Sequence, residues 1–379
     1  MAGSIDAMTR SAIYLDAEGN WSFSGSYDPD DVVFLLNPRR IEPVDIAEKE
    51  RLIQSGARHY SEMLSAEAVP GEAYMRLYHA ALAANAARVR HDVEVLAAAI
   101  AARRETAESC VILSLARAGT PIGILLKRAL VRRGVAAHHY SISIIRGRGI
   151  DTNALAYVAH RHGTANAVFV DGWTGKGAIR GELDRSLGDG ATGFAPFLAV
   201  VADPAGVADL AASFDDYVIP GGLLNGIVSG LVSRSVLNTD LVGPHDFHAC
   251  LAMPEHAARD VSRAYIDAIE AAGEWQGSAE RPWSAGEVAT VRQGAADTIA
   301  ELAAEAGITD INRIKPGIAE ATRAILRRVP DHIHVQRRGD PDVAHIVLLA
   351  RQAGVPVIER NLRTYRAVTI IKDLGAEQQ

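Results

Sequence analysis

The sequence predicts an α/β protein built on an open parallel sheet with helical additions, followed by a small C-terminal α/β sandwich. The first observation is a series of apolar, β-prone runs that each end in glycine-rich, small or charged residues. The second is that helical patterns follow or flank these runs, and alternation of this kind is typical of parallel sheets covered by helices. The third is a change of character near the C-terminus, where a short helix–strand–helix–strand–strand pattern begins. The predicted strands of the larger sheet are 111–115, 138–145, 167–170, 196–202 and 217–219.

The chain has 379 residues, which is too long for one ordinary core, so more than one domain is expected. An alanine-rich helical pattern over 74–103 predicts a scaffold before the sheet. A second helical stretch connects the sheet to the C-terminal unit. The predicted units are an N-terminal extension with a helical scaffold (1–105), the main α/β domain (106–252), a helical connector (253–312) and the C-terminal domain (313–379).

Composition excludes several classes of protein. With 39 basic and 46 acidic residues the net charge is -7, so nucleic acid could be bound only through a local basic patch. The two cysteines, Cys110 and Cys250, have no metal-like spacing and suit a reducing cytoplasm. No apolar run reaches about 18 residues and no signal-peptide pattern opens the chain, so we expect a cytoplasmic protein without membrane spans.

The strongest local signal is the run NAVFVDGWTGKGAIRGE at 166–182, in which a predicted strand ends in Asp171 and a glycine-rich turn leads into a helix. The first turn of a helix leaves backbone N–H groups unpaired and carries partial positive charge, so phosphate is a natural partner. Walker and dinucleotide patterns do not fit, because Val170 stands where the first Walker glycine belongs and the acid precedes the glycines. An ordinary capped turn remains the alternative. The predicted phosphate-binding residues are Gly172, Trp173, Thr174, Gly175, Lys176 and Gly177.

A second strand–loop–helix unit carries Arg117 in its loop. The predicted strand 111–115 is followed by Ala116-Arg117-Ala118-Gly119-Thr120-Pro121. Thr120 and Pro121 also form a routine helix N-cap, which is compatible with ligand binding at the same place. Asp203 follows the predicted strand 196–202, at the edge where open sheets bind their ligands.

The two glycine-containing loops resemble those of type I phosphoribosyltransferases, which bind a ribose 5-phosphate and a pyrophosphate. The resemblance implies a cis peptide at Ala116–Arg117, a cationic loop with Arg146 and Arg148 that closes the site, and Mg²⁺ held by Asp171. The alternative for Arg146 and Arg148 is a solvated basic turn. The implied pyrophosphate-binding residues are Ser114, Ala116, Arg117, Ala118, Gly119 and Thr120, and the catalytic ones are Asp171, Arg146, Arg148 and Asp203. The expected substrate-pocket residues are Tyr27, Tyr140, Ser141, Ser143, Asn225, Ser229, Ser233 and Arg234.

The C-terminal segment is arginine-rich inside an acidic chain, which is the electrostatic signature of an RNA-binding surface. The order of its elements resembles the Pelota-type RNA-binding domain. That resemblance implies RNA contacts through Lys315, Gly317, Glu320 and Arg323. A small accessory or dimerisation domain with solvated arginines is the alternative, and a homodimer is left open.

Taken together, phrases such as SLARAGTPIG, VFVDGWTGKGAI and IKPGIAEATR resemble the phosphoribosyltransferase-like proteins of tellurium-resistance gene clusters, fused to a Pelota-type domain. Members of that family also carry a cysteine-protease label (StiP). The resemblance implies an Mg²⁺-dependent transferase that acts on phosphoribosyl pyrophosphate or a relative, with an unknown acceptor. Two alternatives are an RNA-binding regulator whose pocket only senses a nucleotide, and a cysteine hydrolase that depends on Cys250.

Overall fold

The computed structural model describes residues 13–15, 21–104, 108–277 and 283–374. Most of residues 1–20, at the start of the predicted N-terminal unit (1–105), lies outside the described residues. The helices are α1 (Ile46–Gln54), α2 (Glu72–Arg103), α3 (Gly119–Arg132), α4 (Thr152–His162), α5 (Ala178–Leu187), α6 (Ser262–Glu270), α7 (Ala285–Glu305), α8 (Ile318–Arg327) and α9 (Ala344–Ala353).

Within the described residues, the strands form two principal sheets and two short pairs. In chain order they are β1 (Ile13–Leu15), β2 (Trp21–Phe23), β3 (Val33–Leu35), β4 (Asn37–Pro38), β5 (Cys110–Leu115), β6 (Ala137–Ile142), β7 (Ile144–Ile145), β8 (Gly149–Ile150), β9 (Ala167–Trp173), β10 (Leu198–Ala202), β11 (Leu210–Ser213), β12 (Ala249–Cys250), β13 (Ile314–Pro316), β14 (Pro330–Val335), β15 (Val357–Glu359) and β16 (Ala367–Ile371).

The larger sheet has the order β1-β2-β3-β6-β5-β9-β10-β11. The six strands from β3 to β11 are parallel, and β1 and β2 extend the sheet antiparallel at the β3 edge. Strand β5 is buried along its whole length, as expected for a central parallel strand covered on both faces. The predicted α/β class with an open parallel sheet is therefore confirmed.

Two apolar clusters cover the faces of this sheet. One contains Leu96 of α2 and Leu126 of α3, and the other contains Leu155 of α4 and Leu183 of α5. Burying both faces leaves the carboxyl ends of the strands as the place where loops meet. The structure differs from prediction at 217–219, which is not a strand. The edge strand is instead β11, which pairs in parallel with β10.

The C-terminal unit is a four-stranded sheet of order β13-β16-β14-β15 with α8 and α9, so the predicted small α/β sandwich is confirmed. Strands β13 and β14 run antiparallel to β16, and β15 runs parallel to β14. Helix α7 packs its Leu302 against Ile314, Val368 and Ile370 of this sheet. Within the described residues, no helix is both long and apolar enough to span a membrane.

Candidate functional site

A cleft of about 970 Å³ lies where the carboxyl ends of the larger sheet meet the C-terminal unit. Asp171, at the end of β9, lies in its wall together with Ala116, Arg117 and Ala118, which follow β5. The peptide bond between Ala116 and Arg117 is cis, as the resemblance implied. The two predicted loops therefore lie side by side, because β5 and β9 are adjacent parallel strands whose ends meet at one edge.

Burial dominates the electrostatics of Asp171. Its carboxylate accepts a hydrogen bond from Gly172 N at 2.8 Å, yet burial raises its pKa to about 7. The charge of Arg323 lowers this pKa and that of Glu320 raises it. Within the described residues no group of three or more His, Cys, Asp or Glu side chains is arranged to hold a metal ion. Mg²⁺ at Asp171 stays a prediction.

The predicted phosphate loop is held from both sides. Thr174 donates from its hydroxyl to Asp203, and its backbone N–H donates to Ala202 O at 3.0 Å. Asp203 also accepts from Ala208 N at 2.8 Å, so it fixes the loop from behind and does not line the cleft.

The C-terminal unit covers the other side of this loop. Tyr365 donates from its hydroxyl to Gly175 O at 2.7 Å, and the ammonium of Lys176 donates to two backbone carbonyls, that of Ile314 at 3.1 Å. A Cβ added at Gly175 would lie 2.9 Å from Glu320 Cγ. Part of the surface that the sequence assigned to phosphate is therefore occupied by contacts between the two units.

Arg117 is engaged in a buried network. It donates to Val232 O at 2.8 Å and forms an ion pair with Glu67, which also accepts from Gly226 N at 2.9 Å. Although burial opposes ionisation, the charges of Arg117 and Arg327 hold the pKa of Glu67 at about 2.

Arg146 and Arg148 both line the cleft. Tyr60 accepts a hydrogen bond from Arg146 N at 2.9 Å, and Glu62 pairs with Arg148 at 2.8 Å. The turn that carries both arginines is thus tied to the segment after α1.

Several predicted residues lie away from the cleft and serve packing. Tyr27 donates to Val228 O at 2.7 Å, and Tyr140 bonds His162 at 2.8 Å. Ser114, Ser143 and Ser229 bond His139, His248 and Asn225 O, respectively, while Ser141 bonds Thr120 and Ser233 donates to Arg234 O. The predicted residues that do line the cleft are Ala116, Arg117, Ala118, Arg146, Arg148, Asp171, Trp173, Thr174, Gly175, Lys176, Gly177, Arg234, Lys315, Glu320 and Arg323.

The predicted basic surface of the C-terminal unit is largely neutralised or buried. Arg360 pairs with Glu305, Arg363 pairs with Glu301, and Arg366 pairs with Asp215 of the main domain. Gly317 N bonds Ala367 O inside the unit. Of the four predicted RNA contacts, the remaining three point into the cleft and not onto an open face.

Sequence reasoning missed Lys49 and Tyr60, which reach the cleft from α1 and the segment after it, and Arg327 and Arg328 at the end of α8. Lys49 is only 5% exposed, and burial followed by the charges of Arg234 and Arg327 lowers its pKa to about 8. The helical spacing of α8 could have predicted that Arg327 lies in the cleft, because residues 320, 323 and 327 share one helix face. No feature of the sequence near Lys49 predicts that its side chain reaches the cleft.

Solved structures that match part of this chain include hypoxanthine phosphoribosyltransferases. The enzyme from Trypanosoma cruzi in complex with the product IMP is 13% identical at a TM-score of 0.27, over 33% of this chain and 75% of that one. The HGPRT-ase from Leishmania tarentolae in complex with GMP is 14% identical at a TM-score of 0.26, over 39% and 80%. Similarity at this level does not support a shared activity.

Sequence comparison is more specific. Residues 25–270 match the family described as "Tellurite-like stress resistance cysteine protease StiP", and residues 293–373 match the PELOTA RNA binding domain. A protein named cysteine protease StiP, from Acinetobacter baylyi (strain ATCC 33305 / BD413 / ADP1), is 41% identical over 367 residues, covering 93% of this chain and 95% of that protein.

Because that family and that relative are described as cysteine proteases, the predicted phosphoribosyltransferase activity, with glycosyl transfer from phosphoribosyl pyrophosphate, is wrong. The predicted family and the C-terminal Pelota-type domain are confirmed. The chain belongs to the StiP family and carries a C-terminal PELOTA RNA binding domain.

Proposed function

We propose that the protein is a cysteine hydrolase that cleaves peptide bonds and uses Cys250 as its nucleophile. Membership of a family described as cysteine proteases supports the reaction class. The chain has two cysteines, and we choose between them by their positions in the structure. Neither cysteine lines the cleft. Cys110 begins β5 at the amino edge of the sheet, whereas Cys250 follows His248 by two residues and so has an imidazole nearby in the sequence.

The observation that carries the proposal is the setting of His248. Its Nδ1 lies 2.8 Å from Ser143 Oγ, and its backbone N–H donates to Asp151 at 2.6 Å. Burial lowers the pKa of His248 and the nearby Asp151 raises it, which favours the neutral imidazole that a general base requires. Residues two apart in an extended segment project to the same side, which places His248 and Cys250 on one face of the segment. In the proposed mechanism His248 is the base that activates the Cys250 thiol, and Asp151 holds the backbone of His248 in place.

Cys250 itself is fully buried, and burial raises the pKa of its thiol. A thiol nucleophile acts as the thiolate. In this conformation of the protein, the Cys250 thiol is therefore not activated. The two-residue pairing of β12 with β4 is the contact that must open to admit a substrate. Short strand pairs of this kind are among the less stable parts of a fold.

The test is hydrolysis of a denatured protein substrate such as casein by the full chain. We expect Cys250→Ala and Cys250→Ser to abolish the release of peptides. Cys110→Ala, which also shortens a buried cysteine, is the matched control and should retain activity, as should Asp171→Asn in the cleft. Activity that survives in both Cys250 variants, or its absence from the wild-type chain, would reject the proposal.

RNA is a second candidate ligand, because residues 293–373 match an RNA-binding domain. Lys315, Glu320 and Arg323 line the cleft, so RNA that used these contacts would enter as a single strand and not as a duplex. Fluorescence anisotropy with labelled single-stranded and hairpin RNA, over a range of salt concentrations, tests this. Equal affinity for both would contradict binding inside the cleft.

A further inference from the structure

The charge of the cleft is opposite to that of the whole protein. Its lining residues include fourteen lysines and arginines but only four aspartates and glutamates. The complete chain has 39 basic and 46 acidic residues. A concentration of one sign in an enclosed space focuses the electrostatic potential and attracts ligands of the other sign.

Part of this charge is balanced by carboxylates around the cleft. Arg328 forms an ion pair with the buried Glu50, and Arg180 pairs with Asp184 at 2.9 Å. These two arginines therefore have a structural reason to be present. Lys49, Lys315, Arg323 and Arg327, which lie at the centre of the cleft, need another explanation.

The two central lysines have no such balance. Lys49 and Lys315 are 5% and 9% exposed, and among the described residues neither forms an ion pair with a carboxylate. Arg327 donates to Asn225 Oδ1 and lies 4.0 Å from the carboxylate of Glu67. Its Nε and that of Arg323 are nevertheless buried without a hydrogen-bond partner among the described residues. Buried donors of this kind are costly unless something accepts from them, so a ligand with acceptor oxygens would be stabilised at this place in the cleft.

These groups come from both domains. Arg323 and Arg327 lie four residues apart on one face of α8, and the guanidinium of Arg323 stacks over the ring of Trp173 at 4.6 Å. Lys49 on α1 and Arg146 face the cleft from the StiP-family domain, residues 25–270. A ligand that contacted all of them would bridge the two domains.

Burial and the neighbouring cations both disfavour the charged form of the two buried lysines. Burial, followed by the charges of Arg328, Lys176 and Arg146, lowers the pKa of Lys315 to about 7. An anion in the cleft would reverse that effect, because nearby negative charge favours the protonated form.

We propose that the cleft binds a small polyanion with two or more phosphate-class groups, held between Lys49 and Arg146 of the StiP-family domain and Lys315, Arg323 and Arg327 of the C-terminal domain. The cleft has the size of small-molecule sites, which are roughly 300–1,000 Å³. Arginine forks match phosphate oxygens in pairs, and several such cations together require more than one anionic group. The site is independent of the proposed hydrolysis at Cys250.

Calorimetry of the full chain with inorganic tripolyphosphate tests this site. We expect saturable binding at one site that weakens as salt is raised, because the attraction is electrostatic. Arg323→Met and Arg327→Gln remove a charge but keep much of each side chain's apolar stem, and each should weaken binding by about tenfold or more. Arg351→Gln, on α9 at an exposed position outside the cleft, is the control and should bind as the wild type does.

Thermal unfolding of each variant separates lost binding from lost folding, and Arg327→Lys should bind more tightly than Arg327→Gln if charge is what matters. Cys250→Ala should bind tripolyphosphate normally whatever its hydrolytic activity. Absence of saturable binding, or an equal loss in Arg351→Gln, would overturn the proposal. Binding of single-stranded RNA without tripolyphosphate binding would also overturn it and assign the cleft to RNA.

Discussion

Asp171 has an unusual environment for a carboxyl group at the end of a parallel strand. Burial raises its pKa from 3.8 to about 7, while one backbone hydrogen bond from Gly172 and the charge of Arg323 act in the opposite direction. It therefore exchanges its proton near neutral pH, where an aspartate in water is fully ionised. This makes the protonation of the cleft sensitive to whatever binds there.

Asp171→Asn is expected to remove one pH dependence of stability. Between about pH 4 and about pH 7 the folded wild type keeps a proton that the unfolded chain has released, so its free energy of unfolding falls as pH rises. Asparagine does not titrate, so the stability of the variant relative to the wild type should rise across this window and stay constant above it.

Urea unfolding of both proteins from about pH 4 to about pH 8.5 measures this difference. Asp240→Asn, at an exposed position before β12, is the matched control. Parallel pH curves for Asp171→Asn and the wild type would show that the carboxyl group is solvated as in an exposed aspartate.

At the scale of single elements, the sequence predicted the features that are determined by residues adjacent in the chain. The loops after β5 and β9 were found because each follows an apolar strand with small or glycine residues, and parallel strands bring such ends together. Lys49 and Tyr60 were missed because nothing in their own segment indicates that α1 folds back over the cleft. The exposed RNA-binding face was overestimated for a similar reason, since the acids that pair with Arg363 and Arg366 lie far away in the sequence.

The start of α3 provides a test of how closely these elements pack. A Cβ at Gly119 would lie 2.3 Å from Val170 O of β9, which is a backbone atom that cannot move aside cheaply. Gly119→Ala should therefore lower the free energy of unfolding by about 1–3 kcal/mol, as overpacked positions do.

Gly286→Ala is the control for that change. Gly286 is also near the start of a helix, α7, but a Cβ there would have no atom within 4 Å. Its replacement should be neutral or stabilise by up to about 1 kcal/mol through helix propensity. Similar unfolding midpoints for both variants in urea would mean that α3 can shift away from β9 without cost.

At the scale of the whole molecule, one buried carboxylate connects the two domains. Asp216 follows β11 and accepts hydrogen bonds from Ile318 N, at 3.0 Å, and from Arg366 N, at 2.8 Å. The guanidinium of Arg366 also forms an ion pair with Asp215 of the main domain, at 2.8 Å. These contacts set the N-terminus of α8, and with it Arg323 and Arg327, against the cleft.

Asp216→Ala should loosen this docking more than it perturbs either core. It leaves two buried N–H groups without an acceptor, at about 1–3 kcal/mol each. We expect the C-terminal domain to unfold or separate earlier than the main domain, so that thermal unfolding shows two transitions, and tripolyphosphate binding to weaken because half of its proposed site moves away. Asp240→Ala, at an exposed position, should leave both properties unchanged. A single transition with unaltered binding would mean that the apolar contacts between the domains suffice to hold α8 in place.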